Sequence, residues 1–142
     1  MRAMRIRVLL AVLVGIAAVG GAARVGAATQ KPAFKAKLTA PTHTPKVKTK
    51  WYYVVRVTDL QGKPIKARLT VQIKDPIGGL SPVQYGATKK NITNWPFTGR
   101  FRDYITWPPD SKLSDSLGGL VLRATVKARG AKVVLTYRVK PR

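Results

Sequence analysis

Asp59–Ile73 reads DLQGKPIKARLTVQI, and it decides the fold class. From Ile65 onward the residues alternate. Ile65, Ala67, Leu69, Val71 and Ile73 fall on one side, and Lys66, Arg68, Thr70, Gln72 and Lys74 on the other. Period two is the pattern of a strand with one face in a core and the other in water. A slip of one residue would bury three cations, so the register is tightly specified. Asp59-Leu60-Gln61-Gly62 reads as a turn, with Gly62 free to take positive φ and Asp59 able to bond nearby backbone N–H groups. Pro64 suits the first position of the strand that follows, where an N–H can be spared.

The same alternation recurs on both sides of this stretch. Ala33–Ala40 puts Phe34, Ala36 and Leu38 on one face, and Trp51–Thr58 does the same with Trp51, Tyr53, Val55 and Val57. Pro41–Lys50 is a breaker-rich connection between them. Asp75-Pro76-Ile77-Gly78-Gly79 breaks the chain again, and Val83 and Tyr85 suggest a short strand. After Gly99, Phe101, Ile105 and Trp107 alternate with Arg102 and Tyr104, with Asp103 interrupting the apolar face as a bulge or a buried polar bond. Leu120–Arg129 and Lys132–Lys140, joined at Gly130-Ala131, read as a hairpin. No helical period appears after residue 28. These elements predict an all-β chain, an antiparallel β-sandwich of about seven strands, preceded by an N-terminal signal helix.

The totals narrow the partners. The chain has 142 residues, 27 Lys+Arg, five acids that are all Asp, one His and no Cys. Without Cys there are no disulfides, thiol nucleophiles or thiolate metal sites. The net charge of +22 predicts association with polyanions. Met1–Arg7 carries three Arg, Val8–Ala23 is uncharged and apolar, and small residues cluster at Val25–Ala28. That is the form of a secretory signal peptide, 1–28, with the domain at 29–142. Its 16-residue apolar run is shorter than the roughly 20 residues of a spanning helix; an uncleaved N-terminal membrane anchor is the alternative. Four Arg leave with the signal, so 23 basic residues remain against five Asp, a net of +18. The expected location is therefore secreted or at the cell envelope.

Asp59-Leu60-Gln61-Gly62-Lys63-Pro64-Ile65-Lys66-Ala67 resembles the hairpin segment that joins the second and third strands in bacterial immunoglobulin-like and fibronectin-III-like secreted modules. The hairpin Leu120–Lys140 is similar to their last two strands. The resemblance implies a non-catalytic structural or adhesive role at the cell surface, with no cofactor and no named ligand. The antibody-type Cys…Trp…Cys pin of that fold is absent.

Candidate sites are few. Lys89–Pro109 interleaves aromatics with cations. Its aperiodic part before Gly99 offers Trp95 and Phe97 with Lys89, Lys90 and Arg100 as a tentative carbohydrate or nucleic-acid platform. The other reading is a loop that covers an open edge of the sandwich. His43, between Pro41 and Pro45, is either a linker residue or a base for one of Ser81, Ser111, Ser114 and Ser116, which would make a small hydrolase. Asp110 and Asp115 are either turn caps or a carboxylate pair. Neither a zinc nor a calcium site can be assembled from so few ligands. Arg56, Lys66, Arg68, Lys74, Arg123, Lys127, Arg129, Arg138 and Lys140 all fall on outward strand faces. If they share a sheet they form one basic face; otherwise the charge spreads over the domain. The expected partners are anionic polymers: cell-wall polymer, a phospholipid surface or extracellular DNA.

Overall fold

The computed structural model describes residues 32–142. The signal-like segment and its cut site lie outside the described residues. Eight strands form two antiparallel sheets with little helix. β1 (Lys35–Thr39), β2 (Lys50–Thr58) and β6 (Arg100–Thr106) make the smaller sheet in the order β1-β2-β6. β3 (Lys66–Lys74), β4 (Leu80–Pro82), β7 (Leu120–Ala128) and β8 (Ala131–Val139) make the larger one in the order β4-β3-β7-β8. β5 (Trp95–Thr98) also pairs with β3.

The alternation read from the sequence is the burial pattern of the strands. Trp51, Tyr53, Val55 and Val57 of β2 are buried, as are Ala67, Leu69 and Val71 of β3 and Leu122, Ala124, Val126 and Ala128 of β7. Together with Phe34, Phe101, Trp107 and Val139 they form one core between the two sheets. Burial of aliphatic and aromatic side chains at about 1.5–3 kcal/mol each is what holds a disulfide-free chain of this size together.

Asp59–Lys63 does not close a hairpin within one sheet. It carries the chain from β2 in one sheet to β3 in the other, and pairing across it is a single bridge, Thr58 to Pro64. Asp59 Oδ1 accepts from Gln61 N and Lys63 N, both at 2.9 Å, and Gly62 sits at φ 88°. The Asp75 turn repeats the device, its Oδ1 accepting from Ile77 N and Gly79 N. A second crossing between the sheets uses one residue. Gly99, at φ 69°, links β5 to β6, and its Cα lies so close to Pro64 that a Cβ would stand 2.6 Å from the proline Cβ.

Four stretches differ from the sequence expectation. The short strand near Val83 is Leu80–Pro82, while Val83 itself is buried and its N–H bonds to Val71 O. Asn94–Phe97 is not aperiodic loop throughout: β5 occupies the same edge of β3 as β4 does, one at each half of the strand. Pro96 interrupts its hydrogen-bonding capacity, which an edge strand tolerates. Pro109–Leu117 is a 3-10 segment, opened by prolines and closed by Gly118 at φ 104°. Its three Ser hydroxyls donate to carbonyls three residues back, which explains why a Ser-rich run coils without an apolar period. The final hairpin turns on Arg129-Gly130, φ 49° and 72°, one residue earlier than read.

Candidate anion-binding face

Strand alternation sends half of each strand to the core and half outward, and register decides which outward residues meet. On the small sheet Lys37 stands opposite Arg56, and Arg56 opposite Arg100. Three cations thus form one row across three strands spaced about 4.8 Å apart. Beside that row Val54 faces Arg102, and beyond it Tyr52 faces Tyr104. The two rings are 5.6 Å apart. Arg102 lays its guanidinium over Tyr52 at 4.1 Å from the ring centroid, and Lys50 Nζ lies 4.7 Å from that of Tyr104. Both are diagonal neighbours, within reach of long side chains. Lys35 completes the outer surface at the β1 edge.

The only acid in this sheet, Asp103, points the other way. It is 5% exposed, and its Oδ2 accepts from the Tyr53 hydroxyl and from Gly86 N, both at 3.3 Å. The buried polar bond anticipated at this position is therefore present. Burial pushes the Asp103 carboxyl above its ordinary value, while bonds from the Tyr104 and Gly86 backbone and from Tyr53 pull it back. Burial, and then the charge of Asp103, push the Tyr53 hydroxyl far above the usual phenol range, which keeps it a donor.

The large sheet repeats the arrangement without aromatics. Arg68 faces Lys127 and Lys127 faces Lys132, a second three-cation row, with Gln72, Arg123 and Thr136 aligned further along. Its strands contain no acid. The outward cations thus divide between two sheets, and each sheet has its own basic face. Like charges directly opposite each other across a sheet are destabilising by roughly 0.2–1 kcal/mol a pair. Each sheet nevertheless keeps such a row, with no acid facing outward from its strands to offset it.

The tentative platform is distributed differently. Trp95 and Phe97 face inward from β5, opposite Leu69 and Ala67 of β3, and remain half-buried. Trp95 stacks on Tyr85 at 5.1 Å, and Phe97 meets Phe101 edge-on at 6.0 Å. Lys89 and Lys90 are exposed in the turn before β5. Arg100 belongs to the other sheet, in the row with Arg56. Tyr52, Tyr104 and Lys50 were not singled out from the sequence. The two tyrosines were readable as outward and Lys50 was read as the end of a connection, but their meeting depends on the pairing of β2 with β6, which are far apart along the chain.

Several of the remaining candidates make contacts within the fold. His43 is exposed, makes a 2.7 Å hydrogen bond from Nδ1 to Arg138 O and stacks on Tyr137 at 4.0 Å. Ser111, Ser114 and Ser116 donate to nearby backbone carbonyls. Asp115 lies 3.7 Å from both Lys140 and Arg142. Among the described residues no group of three or more His, Cys, Asp or Glu is gathered for a metal.

No family model matches this chain, and no curated protein matches it. Among solved structures it is similar to a DUF4466 family protein from Parabacteroides merdae, with 11% identity and a TM-score of 0.43. The match spans 78% of this chain and 46% of that one.

Proposed function

We propose that this chain is a secreted or cell-surface, non-catalytic module with an immunoglobulin-like β-sandwich fold, which binds linear anionic polymers through the outer face of β1-β2-β6. The observation that carries the reading is the row Lys37–Arg56–Arg100 beside Arg102, Tyr52, Lys50 and Tyr104, with the sheet's only acid turned into the core. Closely spaced cations match the charge density of a polymer, and tyrosines among them add contact area at low entropic cost. The signal-like residues 1–28 supply the argument for export, and outside the cell the available polyanions are wall polymer and extracellular DNA.

The test is salt dependence. Binding to heparin or single-stranded DNA should fall steeply between about 50 and 200 mM salt, with a slope set by the number of cations engaged. Replacing Arg56 and Arg100 together by Gln should lower that slope by about 1.4 on single strands. Replacing Arg68 and Lys127 should lower it less. Elution from heparin below physiological salt would sink the proposal. A second reading, a carbohydrate or nucleic-acid contact at Trp95 and Phe97, draws on the partial exposure of both rings. It calls for quenching of Trp95 fluorescence by the ligand.

A further inference from the structure

The Asp75–Gly79 turn is specified by Asp75 and by Gly78 at φ 98°. Nothing in its geometry requires Ile77, yet that side chain is 88% exposed. Leu80, just beyond, is 46% exposed. Because Lys74 pairs with Val121, the turn after β3 and the 3-10 segment before β7 lie at the same end of the domain. That segment presents Leu113 at 74% and Leu117 at 65% exposure. The other exposed large hydrophobics among the described residues, Leu60 and Val134, lie elsewhere. Isolated apolar side chains on a surface need no explanation, but four on a turn, the strand start that follows it and a 3-10 segment at the same end do.

The same end is basic. Lys46, Lys48, Lys74, Lys112, Lys140 and Arg142 belong to it, tied together by backbone bonds such as Lys48 N to Trp107 O and Arg142 N to Pro45 O. Of its acids, Asp75 is engaged in its turn and Asp115 lies between Lys140 and Arg142, which leaves Asp110. An apolar cleft of about 450 Å³ opens here, lined in part by Ile73, Ile105, Trp107 and Leu120.

We infer that this end of the domain seats on an anionic lipid surface. Ile77, Leu80, Leu113 and Leu117 enter the boundary between headgroups and acyl chains, while the surrounding Lys and Arg sit at the level of the phosphates. A dissolved polyanion offers the cations a partner but gives four aliphatic tips nowhere to go. A bilayer carrying anionic lipid supplies both. This surface lies apart from the two three-cation rows of the sheet faces.

The absence of Cys makes the test clean. Single-cysteine versions of the full chain, Ile77→Cys, Leu113→Cys and Leu60→Cys, are labelled with a polarity-sensitive fluorophore. They are mixed with vesicles of phosphatidylcholine alone or of phosphatidylcholine with phosphatidylglycerol. The labels at 77 and 113 should shift to the blue and lose access to an aqueous quencher on the mixed vesicles only, while the label at 60 stays unchanged. The readout is specific to position, so membrane affinity of the N-terminal apolar run does not imitate it. Silence at 77 and 113 overturns the inference, as do equal shifts at all three positions or on pure phosphatidylcholine. A shift that grows with protein concentration without vesicles also overturns it and assigns the surface to a second copy of the chain. Retention on heparin should be unaffected by the labels, which separates this test from that of the sheet face.

Discussion

Arg56 sits in the middle of a row of three cations, opposite Lys37 on one side and Arg100 on the other. Replacing it by Thr removes two direct like-charge contacts and leaves a residue that favours strands. At roughly 0.2–1 kcal/mol per contact, discounted because all three heads are exposed, Arg56→Thr should stabilise the fold by about 0.5–1 kcal/mol at low salt. For a domain of this size that raises Tm by about 2–6 °C. The interaction is screened over about 30 Å at 0.01 M salt but over about 3 Å at 1 M. The gain should therefore disappear in high salt, and the parent protein should itself melt higher there. The assay is thermal unfolding of parent and variant, followed by circular dichroism across that salt series. If Arg56→Thr melts lower than the parent at every salt concentration, the Arg stem contributes packing that outweighs its repulsion. The row is then explained by packing, and the proposed anion-binding role of this face loses its support. The same variant should elute earlier from heparin, so that stability and binding move in opposite directions.

Asp103 gives a prediction in pH. Its carboxyl is raised by burial, so the folded state holds the proton more tightly than the unfolded chain does. Its contribution is most favourable in acid and is lost as pH rises through the folded value, above the ordinary 3.8. Asp103→Asn keeps an acceptor for Tyr53 and Gly86 without the charge. It should match or exceed the parent at neutral pH, with the difference closing as pH falls; a gap that stays constant from pH 3 to 7 on urea unfolding would refute this. Gly99→Ala should destabilise by about 2 kcal/mol or more, because positive φ and the approach to Pro64 both oppose a side chain. Unchanged thermal unfolding would show that the crossing between sheets tolerates movement.

The sequence by itself determined which residues of the long strands face the core. From Ile65 to Lys74 and from Leu120 to Ala128 the alternation of apolar and charged residues leaves one register compatible with burial, and that information is local. It also determined the turns at Asp59 and Gly130, because Asp and Gly advertise the backbone they permit. The aromatics of β5 were harder to read, since Pro96 and a length of four residues erase any period and only the edge of β3 makes them a strand. What the tertiary structure alone decided is which outward residues become neighbours. Arg56 and Arg100, or Tyr52 and Tyr104, are separated by more than forty residues and meet through the pairing of β2 with β6. A basic face is a property of that pairing: each cation was visible in the chain, but a row needs the register between strands, and no local pattern encodes it.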